Sequence, residues 1–276
     1  MNDASPVADG REAIDADPAT DEADLLTGEL VLTGRVMPAS NATFVGTIGD
    51  VEVVYKPVSG EQPLWDFPDG TLAEREVAAH LVSEVTGWHV VPLTWLRDGP
   101  HGPGMVQLWQ TVDPGQEAVT IVPAGAVPAG MLHVFDGYDG RDRRVSLVHE
   151  DTPALRRMAV LDVVLNNADR KGGHVLEMAD GHRHGIDHGL TLHAEHKLRT
   201  VLWGWLDEPL TEEELDGVRR VRASVDDETD GLGAVLHDLL KVAEVEALAA
   251  RCDALLSAGT LPAPSGPMPA VPWPPF

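Results

Sequence analysis

From residue 28 to about residue 110 the chain alternates short β-prone runs with turn residues, and one long helical pattern interrupts them. "GELVLTGRVM", "ATFVGTI" and "VEVVYKP" carry the branched side chains that suit a pleated strand. Gly49 and Asp50 supply a turn between the last two. "TLAEREVAAHLVSEVTG" then reads as an amphipathic helix. Thr71 and Glu74 stand at capping-box spacing, and Gly87 provides a stop. "VVPLTWLRD" and "GPGMVQLWQ" follow as two further strands across a Gly/Pro turn. The expectation is a five-stranded sheet with one helix after its third strand.

Past residue 110 the pattern becomes mostly helical. Thr152 is placed to cap a helix whose first residue is Pro153, and that helix ends near Asn166 or Asn167. "HVLEM" and "RHGIDHGL" read as short strands around an Ala-Asp-Gly turn. "EPLTEEELDGVRRVRAS" and "GLGAVLHDLLKVAEVEALAARCDALLSAG" show apolar stripes at spacings of three and four. The expected class is α+β, with a small antiparallel-sheet N-lobe over 28–108 and a mainly helical C-lobe over 109–260. Residues 1–27 read as a disordered acidic tail. Residues 261–276, rich in proline, read as an extended tail packed by Trp273 and Phe276.

Charge and cysteine content narrow the partners. A net charge of −25 repels nucleic acid and anionic membrane surfaces. The single cysteine, Cys252, excludes a disulfide framework and a multi-cysteine zinc site. The acidic first residues lack the apolar core of a secretory signal, and no run approaches 18 apolar residues. A cytoplasmic protein with no nucleic-acid partner and no stable membrane association is expected. Four lysines against sixteen arginines suggest a GC-rich bacterial genome and make each placed lysine conspicuous.

Phosphoryl transfer from a nucleotide needs a lysine on the phosphates and an acid to hold it. It also needs an acid to orient the nucleophile, and metal ligands. The chain offers these in order. Lys56 ends the third strand in "VVYKP", and Glu76 lies on the following helix. Asp169 heads "DRKGGH", with Lys171 two residues on and His174 five residues on. Asp187 follows in "GIDHGL". The offsets match the base-to-metal-ligand spacing of a kinase catalytic loop.

"NADRKGGHVL" and "GIDHGLTL" together resemble the catalytic and metal motifs of the phosphatidylinositol 3- and 4-kinase-like branch of the kinase superfamily. The nearest likeness is to its type II phosphatidylinositol 4-kinases, in a compact bacterial form. The resemblance implies a two-lobed, protein-kinase-like fold over roughly residues 28–255, and ATP with Mg²⁺ or Mn²⁺ as cofactors. The partners implied are a nucleotide and an alcohol acceptor: a protein, a small molecule or a lipid head group. It implies that Lys56 contacts the phosphates with Glu76 as its partner, and that Ser40 in "MPASNAT" covers them. Gln107, Leu108 and Trp109 would form the hinge for adenine. Asp169 would serve the acceptor, Lys171 the transferring group, and His174 with Asp187 the metal. Gly172 and Gly173 would let the loop turn back.

The chain departs from the pattern at three points. The "MPASNAT" loop lacks glycine pairs, His174 replaces an asparagine, and Asp-His-Gly replaces Asp-Phe-Gly. Two other functions fit parts of the sequence. One is an ATP-binding pseudokinase acting as a scaffold. The other is a metal hydrolase using His182, His184, His188 and Asp187.

Overall fold

The computed structural model describes residues 22–37, 41–62, 64, 67, 72–227, 229 and 231–276. The acidic stretch before residue 22, Ser40 and Thr71 therefore lie outside the described residues. Glu22–Thr27, read as tail, form a helix, α1. Its Leu25 joins Leu30, Ile48, Val53, Tyr55, Trp95 and Val106 in the core of the first lobe. Burial of that one leucine gives the short helix a reason to form.

Five strands make the first sheet: β1 (Leu30–Arg35), β2 (Phe44–Ile48), β3 (Val51–Pro57), β4 (Thr94–Gly99) and β5 (Gly102–Leu108). Their order is β1-β2-β3-β5-β4, with every neighbour antiparallel. Gly49, at φ +58, turns β2 into β3. The register sets Lys56 of β3 opposite Met105 of β5. One helix, α2 (Leu72–Thr86), follows β3 and ends before Gly87 at φ +71. The Glu61 carboxylate accepts from the Leu72 and Ala73 N–H groups at its start.

Helix α2 packs into the second lobe's core. Ala78, Ala79 and Val82 share a cluster with Leu155 and Met158 of α3 (Pro153–Leu165), Val218 of α4 (Glu212–Val225) and Leu248 of α6 (Val242–Ala258). The buried Arg75 reinforces this. It donates to the Thr191 carbonyl at 2.8 Å and pairs with Glu244 of α6 at 2.5 Å. Because α2 carries Glu76, its anchoring fixes an N-lobe acid to the C-lobe frame.

The second lobe also contains α5 (Leu232–Leu239) and a hairpin of β9 (Val175–Glu177) and β10 (Arg183–Gly185). A second sheet of order β6-β8-β7 lies between the lobes in sequence. It comprises β6 (Val119–Pro123), β7 (Met131–Tyr138) and β8 (Arg144–Glu150), and was not anticipated from the pattern. Helix α3 starts as its sequence implies: Thr152 Oγ1 accepts from the Leu155 N–H and Pro153 is the first residue. Among the described residues, no helix is long and apolar enough to cross a membrane.

Candidate active site

Strand β3 delivers Lys56 to the face between the lobes. Its Nζ lies 2.6 Å from Glu76 Oε1 on α2 and 2.9 Å from Asp187 Oδ1. Glu76 is almost wholly buried, and its second oxygen accepts the His188 N–H at 2.8 Å. Burial opposes the charge on Lys56, but Asp187 and Glu76 outweigh it and raise the ammonium pKa above its ordinary value. The same Lys56 charge holds the Asp187 carboxyl far below the usual carboxylate range. Asp187 sits at φ +60, a conformation that aspartate tolerates better than most residues but still strained. Its side chain is 51% exposed, so the carboxylate faces open space beside the lysine.

The exit of α3 builds the opposite wall. Asn166 closes the helix in the left-handed region at φ 54. Asn167 Oδ1 accepts the Asp169 N–H at 2.9 Å, and its amide donates to Asp162. Arg170 turns inward and is fully buried. It pairs with Asp162, donates to the His174 and Ile186 carbonyls, and donates to His188 Nε2 at 2.6 Å. Asp169 and Lys171 face outward, with Lys171 Nζ 3.0 Å from Asp169 Oδ2. One fully satisfied guanidinium thus aims the acid and base on either side of it.

His174 Nε2 lies 3.4 Å from Asp187 Oδ2, and its buried Nδ1 has no protein partner. Burial lowers the His174 pKa, which keeps a lone pair available on the ring. A carboxylate oxygen and an imidazole nitrogen converging in this way fit a divalent ion whose other ligands are phosphate oxygens and water. That is how such ions bind at phosphoryl-transfer sites. Among the described residues no group of three or more His, Cys, Asp or Glu forms a complete metal cage.

Lys56, Glu76, Asp169, Lys171 and Asp187 line one cavity of about 260 Å³. Met105 and Glu61 line it too, and neither drew notice in the sequence. The proposed hinge residues do not line it. Gln107 is buried in β5 with its amide on Thr94 Oγ1. The Leu108 and Trp109 N–H groups bond the Leu93 and Glu52 carbonyls. Gly172 and Gly173 do lie in a turn, a single 3-10 segment over Gly172–His174 closed by the His174 N–H on the Lys171 carbonyl, but neither is in the left-handed region, so the turn itself does not demand glycine. The histidine cluster divides: the His182 and His184 rings meet at 4.4 Å beside the His89 and Val90 carbonyls, whereas His188 is buried on Arg170.

Asp162 was missed, and His188 was named only within the Asp-His-Gly motif and as a ligand of the hydrolase alternative. Asp162, fully buried, receives Arg170, Asn167 and Thr200. His188 links Glu76 to Arg170. A lone carboxylate inside "MAVLDVVL" was the available signal for Asp162, since a buried charge requires partners.

Burial holds His80, His149, His184 and His188 below their ordinary pKa of 6.5, His184 at about 4. Unfolding frees these rings to take up protons. Their stabilisation is therefore complete above about pH 6.5 and is lost as pH falls toward about 4. The melting temperature is expected to drop steadily across that interval. A flat profile would contradict the neutral, buried placement of these rings.

No family model matches the chain. The chain is 48% identical over 273 residues to the Mycobacterium tuberculosis protein Rv2133c, spanning 93% of this chain and 95% of that protein. Among solved structures it is similar to the Helicobacter pylori proinflammatory kinase CtkA. That likeness has 12% identity and a TM-score of 0.47, over 86% of this chain and 94% of the other. A likeness at that score carries no argument about activity.

Proposed function

We propose that the chain, which belongs to the family of the Mycobacterium tuberculosis protein Rv2133c, is a phosphotransferase that moves the γ-phosphoryl group of ATP to an alcohol. The observation that carries this reading is Lys56 bridging Glu76 and Asp187 across the two lobes, opposite the outward Asp169–Lys171 pair. The alcohol oxygen bonds to the γ-phosphorus as the bond to the β–γ bridging oxygen breaks, and ADP leaves. Asp169 orients the alcohol and accepts its proton. Lys171 balances negative charge on the transferring group, and Lys56 holds the phosphates that remain on ADP. Asp187 and His174 would hold a divalent ion, which supplies positive charge to the phosphate oxygens when bound.

With their N–H groups already bonded, Leu108 and Trp109 have only carbonyl oxygens left for backbone hydrogen bonds to adenine, and the Leu108 carbonyl also accepts from the Gln110 amide. Ser40 stays a candidate phosphate contact. The net charge of −25 favours a soluble acceptor over an anionic lipid surface. This is a protein-kinase-like reading of the phosphatidylinositol 3-/4-kinase type, and imidazole at position 174 favours Mn²⁺ over Mg²⁺.

The test is a thermal-shift titration with ATP and each metal, on wild type and Asp187→Ala. Ligand at about 100 times its Kd stabilises by about 2.7 kcal/mol, which is readily read. Wild type is expected to shift with ATP plus metal, and Asp187→Ala to lose most of that shift. No shift with either metal, or an equal shift in the variant, would overturn the proposal.

A further inference from the structure

Gly172 is where a distant segment lands. The proline-rich residues 262–276 cross the outside of the second lobe, and Ala270 O accepts from the Thr200 N–H and Trp203 Nε1. Val271 packs against the main core. The segment then reaches the catalytic loop. The Gly172 N–H donates to the Pro275 carbonyl at 2.8 Å, and Pro275 is buried. The Phe276 ring lies directly on Gly172, where any Cβ would collide with it. Trp273, expected to pack, is instead 74% exposed. The glycine at 172 is thus explained by close approach of a ring.

The loop therefore has two anchors. Arg170 pins it from inside through Asp162, His174 and Ile186. Pro275 and Phe276 hold it from outside. Lys171 lies between the two, with its ammonium on Asp169. Gly173 has no close neighbour at the Cβ position and is exposed, so it adds no outer support. Neither Pro275 nor Phe276 lines the cavity that holds Lys56, Asp169 and Asp187. The segment braces the loop without covering that cavity.

We propose that residues 275 and 276 clamp the loop 170–174, and that Phe276 is a positioning residue for Lys171. The effect on turnover rests on the phosphotransferase reading above. With the outer anchor gone, the Lys171–Gly172 peptide is held only by the His174 N–H on the Lys171 carbonyl, and the ammonium can leave its place beside Asp169. A displacement of about 1 Å at such a group costs up to about 100-fold in rate.

The experiment compares wild type, Phe276→Ala, Phe276→Tyr and Gly172→Ala by amide hydrogen exchange over residues 170–174, by ATP-dependent thermal shift and by turnover. Phe276→Ala is expected to speed exchange there about tenfold or more. It should lower kcat about 10- to 100-fold with KM for ATP unchanged. Gly172→Ala should behave alike, because its methyl group displaces the ring, and Phe276→Tyr should match wild type. Unchanged exchange in both disruptive variants would overturn the clamp. A rise in kcat would overturn its supporting role and make the segment inhibitory. If wild type shows neither a nucleotide shift nor turnover, the functional reading fails, and the exchange rates still decide the clamp.

Discussion

Asp169→Asn is expected to cut phosphoryl transfer by about 10²- to 10⁴-fold and to leave the ATP-dependent thermal shift near wild type. The substitution keeps the shape of the side chain and removes its capacity to take a proton. The backbone at 169 is held by Asn167, and the Lys56–Glu76–Asp187 group does not use Asp169. Nucleotide binding should therefore survive while the acceptor loses its base. ATP hydrolysis or autophosphorylation with Mg²⁺ and with Mn²⁺ gives the readout. Turnover equal to wild type would remove Asp169 from the mechanism. Loss of the thermal shift would make it a binding residue instead.

Asp162→Ala should be the most destabilising single change near the site. Asp162 and Arg170 are both fully buried and paired at 2.9 Å. Asn167 and Thr200 also donate to the same carboxylate. Removing it strands the Arg170 charge in the interior, a loss of about 3–5 kcal/mol, which lowers the melting temperature by about 10 °C. The loop that carries Asp169 and Lys171 should loosen with it, so turnover falls at temperatures where the chain is still folded. Arg219→Ala is the control, since that arginine's pairs with Asp216 and Glu212 lie on the exposed face of α4. It should leave the melting temperature nearly unchanged. Equal behaviour of the two variants would show that the Asp162 hub does not hold the loop.

Much of the first lobe was legible because its signals are local. Alternating branched residues, the Gly49 turn and the Gly87 stop each act within a few residues. Lys56 and Glu76 could be paired from their places at a strand end and on the following helix. The β6-β8-β7 sheet was not read, although Asp139 and Gly140 sit between two β-prone runs as a hairpin turn would. Both faces of β7 are partly exposed, so its alternation of apolar and polar residues is weak. The break between α5 and α6 at Leu240–Lys241 carries neither glycine nor proline; Leu240 is buried in the core there, and the Glu244 carboxylate accepts the Lys241 N–H to start the second helix.

The sequence by itself determined the class of fold and the order of the charged groups along the chain. Lys56, Glu76, Asp169, Lys171, His174 and Asp187 were all singled out by their order, their spacing and the resemblance to kinase motifs. What only the tertiary structure decided was which of them meet, and what holds them. Lys56 and Asp187 are 131 residues apart, and their pairing exists because α2 is packed into the second lobe. The inward turn of Arg170, the hub at Asp162 and the landing of Phe276 on Gly172 have the same origin. Hydrogen bonds and ion pairs act over about 3 Å, so their partners are settled by the packing of distant elements and leave little trace in local sequence.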